Sequence, residues 1–182
     1  MSTFINILTL SRIFLAALIF ILLMSSDGYF FALILFFLAA ITDYFDGYFA
    51  RKYNAVSVLG EILDPIADKI LILFVLFGLA VNLSSYLIAF IGAMIITREI
   101  WVGALRDYNA RIGKSDATKV TFLAKIKTTI QLFTLSIYLF GLSANNMLLI
   151  IIADIFLFIS LFITLYTGFI YTINSFNNDQ NL

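Results

Sequence analysis

The sequence predicts an all-α integral membrane protein, with six transmembrane helices around a polar cavity at the cytoplasmic side. Its 182 residues are 63% hydrophobic and only 12% charged, and the mean hydropathy is +1.06. A soluble domain has about 45–50% apolar and roughly 25% charged residues, so the composition indicates a membrane protein. At this length we expect a single domain over residues 1–182.

Six apolar runs are long enough to cross a bilayer, which requires about 20 residues per helix. They cover residues 7–25, 30–50, 61–81, 85–107, 121–143 and 147–173. The first run has no basic segment before it and no Ala-x-Ala-like exit, so we do not expect a cleaved signal peptide.

Basic residues are distributed unevenly among the connections. The connections after the first, third and fifth runs contain no Lys or Arg, whereas all eleven basic residues lie at or near the opposite helix ends. Because basic residues are retained on the cytoplasmic side, we expect a multi-pass protein of the cell inner membrane with both termini in the cytoplasm.

Four carboxylates lie at the predicted cytoplasmic ends of the second and third runs. On a helix that advances roughly 100° per residue, the first pair shares one face with two small residues, and the second pair shares one face with a glycine. Two such helices can meet to form one polar pocket. We name the four acids the acid cluster: Asp43, Asp46, Asp64 and Asp68; the small residues are Gly47, Ala50 and Gly60.

Divalent cations would satisfy four neighbouring carboxylates while keeping them ionised. The chain contains neither His nor Cys, so oxygen ligands favour Mg²⁺ or Mn²⁺ over zinc. The simplest alternative is that these acids are solvated or cap helices. A cation transporter or a non-enzymatic lipid-binding protein are further alternatives, but neither requires this pattern of acids and small residues.

The stretch from Asp43 to Asp68 reads D-x2-D-G-x2-A-R-x8-G-x3-D-x3-D. It resembles the signature of the CDP-alcohol phosphatidyltransferase family at every fixed position. The resemblance implies a membrane enzyme that transfers a lipid phosphate group from a CDP-linked lipid to an alcohol and releases CMP. It also implies that the acid cluster holds two divalent ions on the diphosphate and that Asp68 is the general base. The residues it assigns to the CDP-lipid are Gly47, Ala50, Arg51 and Gly60.

The segment Asn6-Ile7-Leu8-Thr9-Leu10-Ser11-Arg12 resembles a second motif of the same family. The implied role of Asn6, Thr9 and Arg12 is to help hold the nucleotide or its diphosphate. The alternative is that Arg12 extends to the interface to keep its charge in water. Pro65 either bends the third helix beside the acids or only marks its first turn.

A second cluster of basic residues bears on the acceptor. Guanidinium and ammonium groups that converge beside a metal site suit an anionic phosphate, whereas a belt of basic residues would only attract anionic lipid. The segments that carry these residues are Thr97-Arg98-Glu99, Leu105-Arg106 and Lys125-x-Lys127-Thr128-x2-Gln131. They resemble the phosphatidylglycerophosphate synthase branch of the family, although Ala124 stands where that branch usually has Gly. This resemblance implies that the acceptor, glycerol 3-phosphate, is bound through Arg98, Arg106, Lys125, Lys127 and Thr128.

Other acceptors of the family remain alternatives: serine, inositol phosphate, or phosphatidylglycerol, which would give cardiolipin. CDP-diacylglycerol and membrane lipids are the other expected partners, the family's members tend to be homodimers, and no nucleic acid is expected. Asp154, near the outer end of the sixth run, is expected to make a polar contact or to be partly exposed.

Overall fold

A computed structural model describes residues 2–52, 58–119 and 121–177, without the side chains of residues 2–6, 44, 46–52, 58, 59 and 61. Six long helices follow one another, and no strand occurs among the described residues, which confirms the predicted all-α class. They are α1 (Ser2–Leu22), α2 (Tyr29–Lys52), α3 (Val58–Asn82), α4 (Tyr86–Arg111), α5 (Phe122–Ser143) and α6 (Met147–Asn177).

Local sequence explains where two of the helices begin. Ser85 and Thr121 accept hydrogen bonds from the backbone N–H groups of Ile88 and Ala124, so each caps the first turn of α4 or α5. At the tight turn between α1 and α2, a Cβ on Gly28 would lie 2.2 Å from the Leu22 carbonyl oxygen. Only glycine therefore permits the chain to reverse so closely at this point.

The helices pack so that α1 lies against both α2 and α3, while α4 contacts α3 and α6, and α5 contacts α6 and α2. Apolar side chains such as Ile19, Leu79, Ile91 and Leu139 fill the interior. Large apolar side chains such as Phe162 are exposed on the outer faces. An exterior of this kind is expected where lipid rather than water surrounds the helices.

Four helical segments are long and apolar enough to cross a bilayer, and the chain is a multi-pass membrane protein. These segments are Ser26–Asp43, Tyr86–Arg111, Ser115–Ser143 and Met147–Asn177. The apolar part of α1 is shorter, Ile7–Leu22, and the first half of α3 carries charged residues. That α1 and α3 also span the membrane stays a prediction.

Pro65 lies inside α3, beyond its first turn. The interpretation of Pro65 as a marker of the first helical turn is therefore wrong.

Candidate active site

Arg12 of α1 joins the acids of two other helices. Its Nη1 atom lies 2.7 Å from Oδ1 of Asp68 on α3 and 3.0 Å from Oδ1 of Asp43 on α2. Arg12 is fully buried, whereas the two carboxylate side chains are 46% and 51% exposed. Arg12 of α1 thus links Asp43 of α2 to Asp68 of α3, and the pocket of all four acids stays a prediction.

Thr9 lies one turn before Arg12 and continues the same face of α1. Its hydroxyl donates a hydrogen bond of 2.7 Å to Oδ1 of Asp64. Since Arg12 is buried and bonded to acids, it does not extend to the interface, and that alternative is wrong. The i, i+3 spacing of Thr9 and Arg12 thus directs both side chains toward the acid cluster.

The described acids suit a divalent cation in their chemistry. Asp43 and Asp68 each place an oxygen within 3.0 Å of one guanidinium nitrogen. Together with Asp64 these acids carry more negative charge, when ionised, than the single positive charge of Arg12 can balance. Hard carboxylate oxygens are the ligands that Mg²⁺ and Mn²⁺ prefer. Among the described residues no group of three potential ligands is already gathered at one point.

Several predicted residues cannot be placed in this arrangement. The side chains of Asn6, Asp46, Gly47, Ala50 and Arg51 lie outside the described part of the chain. Gly60 is described and is buried near the start of α3.

Two cavities meet at Asp68. The smaller cavity, of about 70 Å³, lies beside Arg12 and Asp43, where Ala39 and Ala40 leave space. The larger cavity, of about 330 Å³, lies between α3, α4 and α5. Asp68 and Thr128 line both cavities, so one carboxylate faces the acids on one side and a different polar surface on the other.

The polar lining of the larger cavity combines two lysines, two acids and two uncharged side chains. Its polar and charged lining residues are Asp68, Lys69, Glu99, Lys127, Thr128 and Gln131. Lys127 is buried and forms an ion pair with Oε1 of Glu99. The same carboxylate oxygen accepts a hydrogen bond of 2.9 Å from Nη1 of Arg98. A single carboxylate therefore fixes two buried cations, and Arg98 lies directly behind the cavity wall.

Arg98 is held by α6 on its other side. Its Nη2 atom donates a 2.7 Å hydrogen bond to the Thr167 hydroxyl, and its guanidinium lies 5.8 Å from the ring centroid of Tyr171. At Gly168 an added Cβ would lie 2.9 Å from Cγ of Arg98. The absence of a side chain at Gly168 thus leaves the space through which Arg98 passes.

The structure does not bring all the predicted basic residues into one pocket. Arg106 is exposed and approaches Arg98 through the ring of Tyr171, whose centroid lies 5.7 Å from the Arg106 guanidinium. Lys125 is exposed and is not among the residues that line the larger cavity. Lys127 and Thr128 do line it. Lys125 and Lys127 differ because residues two positions apart on a helix point in different directions.

Sequence reasoning did not select four residues that complete the site. Lys69 and Glu99 line the larger cavity, and Thr167 and Tyr171 fix Arg98. Lys69 follows Asp68 directly, and Glu99 is an acid within an apolar run, so both carried a charge signal. Thr167 and Tyr171 carried none, since uncharged polar residues are ordinary in a membrane helix.

Asp154 makes the polar contact that was predicted for it. Oδ1 of Asp154 on α6 accepts a hydrogen bond from the hydroxyl of Tyr138 on α5, and Tyr138 is fully buried. The pair joins α5 to α6, and neither residue lines the cavities at Asp68.

Comparison with known proteins identifies the family. The sequence profile of the CDP-alcohol phosphatidyltransferase family matches residues 3–166. The chain belongs to this family. It is 42% identical to the CDP-diacylglycerol–glycerol-3-phosphate 3-phosphatidyltransferase of Rickettsia bellii over 76% of this chain and 75% of that protein.

Other relatives with the same name are similar over different lengths. The protein of Rickettsia typhi is 38% identical over 91% of this chain and 93% of its own length. The protein of Escherichia coli K12 is 37% identical over 58% of each chain. The site described above, with the acid cluster, Arg12 and the larger cavity, therefore belongs to a CDP-alcohol phosphatidyltransferase.

Proposed function

We propose that this CDP-alcohol phosphatidyltransferase transfers the phosphatidyl group of CDP-diacylglycerol to glycerol 3-phosphate, giving phosphatidylglycerophosphate and CMP. The observation that carries the proposal is the position of Asp68, which lies where the acid cluster meets the larger cavity, whose lining includes Lys69 and Lys127. Such an arrangement suits two substrates that react at their point of contact. The names of the relatives support the same two substrates.

The acid side would bind the CDP-lipid. Asp43, Asp46, Asp64 and Asp68 would hold two divalent ions, Mg²⁺ or Mn²⁺. Such ions supply charge stabilisation to a diphosphate and to the departing CMP. Arg12 orients Asp43 and Asp68 through its two ion pairs. The other proposed contacts to the CDP-lipid are Asn6, Thr9, Gly47, Ala50, Arg51 and Gly60.

The larger cavity would bind glycerol 3-phosphate through its cations. A phosphate dianion needs cations, and Lys69 and Lys127 line the larger cavity while Arg98 lies behind it. Thr128 lies at the junction with the acid side and would contribute a hydroxyl. Arg106 would act at longer range through Tyr171, and the exposed Lys125 would contribute only a charge that solvent screens.

Asp68 would act as the general base in the reaction. Its carboxylate takes the proton from an acceptor hydroxyl, and the oxygen forms a bond to the phosphorus next to the diacylglycerol. The bond from that phosphorus to the CMP oxygen breaks, and CMP leaves. Because the two cavities share Asp68, the base lies between the proposed nucleophile and the proposed electrophile.

The membrane arrangement follows from the charge distribution. We propose an inner-membrane protein of one domain, residues 1–182, with both termini and the site at the cytoplasmic side. Lipid tails would enter from the bilayer, and the expected assembly is a homodimer.

The function is tested by incubating the purified protein with labelled CDP-diacylglycerol and one candidate acceptor at a time, and by measuring CMP release. Glycerol 3-phosphate is expected to support turnover, whereas inositol, serine and unphosphorylated glycerol are not. Turnover with phosphatidylglycerol but not with glycerol 3-phosphate would refute the acceptor. No CMP release with any acceptor would refute transferase activity and favour a transporter or a lipid-binding protein.

A further inference from the structure

Glu99 is an acid in a cavity proposed to bind an anion. Its Oε1 atom accepts hydrogen bonds from Arg98 and from Lys127. Its second oxygen, Oε2, has no hydrogen-bond partner among the described residues, and the side chain is 19% exposed where it lines the larger cavity. One oxygen thus organises the cations, while the other is available to a ligand.

A carboxylate oxygen of this kind accepts hydrogen bonds only. The phosphate of glycerol 3-phosphate is repelled by Glu99 and attracted by Lys69 and Lys127, so it cannot be the group that satisfies Oε2. The remaining donors of this substrate are its two hydroxyls. When the terminal hydroxyl attacks phosphorus, the hydroxyl on C2 is the one that remains.

We propose that Glu99 recognises the C2 hydroxyl of glycerol 3-phosphate through Oε2, while Oε1 holds Arg98 and Lys127. The inference rests on the proposed function, and it makes Glu99 a specificity-determining residue of that reaction. A smaller acceptor that lacks this hydroxyl leaves a partly buried carboxylate oxygen without its donor. Sites built to bind a substrate hydroxyl discriminate strongly against analogues without it.

The test compares glycerol 3-phosphate with 3-hydroxypropyl phosphate, which keeps the phosphate and the terminal hydroxyl but lacks the C2 hydroxyl. For the wild-type protein we expect kcat/KM to be about tenfold to a hundredfold higher with glycerol 3-phosphate, the effect of one hydrogen bond to a charged group. In Glu99→Ala this preference is expected to disappear. The rate with both acceptors is also expected to fall, because Lys127 no longer has the carboxylate that holds it in position.

Two further variants complete the design. Glu99→Gln keeps the size of the side chain and weakens the acceptor, so it is expected to show an intermediate preference. Asp107→Asn removes an exposed acid from the same helix, one that pairs with Arg111 outside the cavity. It is expected to keep the wild-type preference.

The ratio of the two acceptors separates recognition from a purely structural role. A Glu99→Ala protein that loses the same factor with both acceptors and keeps its preference would show that Glu99 only balances the cations, and would overturn the proposal. A wild-type protein that uses both acceptors equally well would overturn it even if every variant failed to fold. A wild-type protein that uses neither acceptor would instead refute the proposed function.

Discussion

Lys127→Met offers a sharp test of the proposed phosphate pocket in the larger cavity, because Met has a similar length and no charge. Lys127 is buried, lines the larger cavity and forms an ion pair with Glu99. A hydrogen bond to a charged group contributes about 1.5–3 kcal/mol, which corresponds to a loss of about tenfold to a hundredfold. We expect this loss in kcat/KM for glycerol 3-phosphate, mainly as a raised KM.

Lys125→Met is the matched control, since Lys125 lies two residues earlier on the same helix and is exposed. Its effect is expected to be less than about threefold, as for an ordinary surface substitution. Both variants are assayed by CMP release while each substrate is varied in turn, and thermal unfolding checks that they fold. Equal effects of the two variants, or an equal rise in the KM for CDP-diacylglycerol, would refute a phosphate pocket at Lys127 and favour a general basic belt.

Three other predictions concern the acids, the topology and the helix packing. Asp43→Asn, Asp46→Asn and Asp64→Asn are each expected to abolish CMP release, and EDTA is expected to do so reversibly; full activity in metal-free buffer would contradict the two-ion site. Single cysteines can be placed at Asp27 or Asn145, because the chain has no native cysteine. They are expected to react with an impermeant thiol reagent only when it is added from outside. Labelling from the cytoplasmic side would contradict the proposed topology. Gly168→Ala is expected to destabilise the protein by about 1–3 kcal/mol, because the added Cβ would crowd Arg98. Gly92→Ala is the control, since a Cβ on Gly92 would lie no closer than 3.5 Å to any neighbouring atom. If Gly168→Ala lowers the unfolding temperature no more than Gly92→Ala does, the proposed crowding at Arg98 is refuted.

Local spacing was sufficient to predict part of the site. The helical spacing of Asp64 and Asp68 predicted one polar face on α3, and the family resemblance selected Thr9 and Arg12 on α1. In the structure Thr9 bonds to Asp64 and Arg12 bonds to Asp68. The family signature also contains this helical spacing, since its two pairs of acids are three and four residues apart.

Contacts between distant helices could not be predicted in this way. Nothing local indicates that Arg12 bonds to acids of both α2 and α3, or that Thr167 of α6 accepts a hydrogen bond from Arg98 of α4. The separation of Lys125 from Lys127, however, was predictable, because residues two apart on a helix do not share a face.

The most direct measurement of the central claim is a competition among acceptors. The purified protein, in detergent with Mg²⁺ and CDP-diacylglycerol, is given glycerol 3-phosphate, phosphatidylglycerol, inositol phosphate and serine at equal concentration, and the lipid products are identified by mass spectrometry. We expect phosphatidylglycerophosphate as the main product, formed with one CMP per molecule, and no product from Asp68→Asn. Cardiolipin as the main product, or undiminished turnover by Asp68→Asn, would contradict a glycerol 3-phosphate transferase that uses Asp68 as its base.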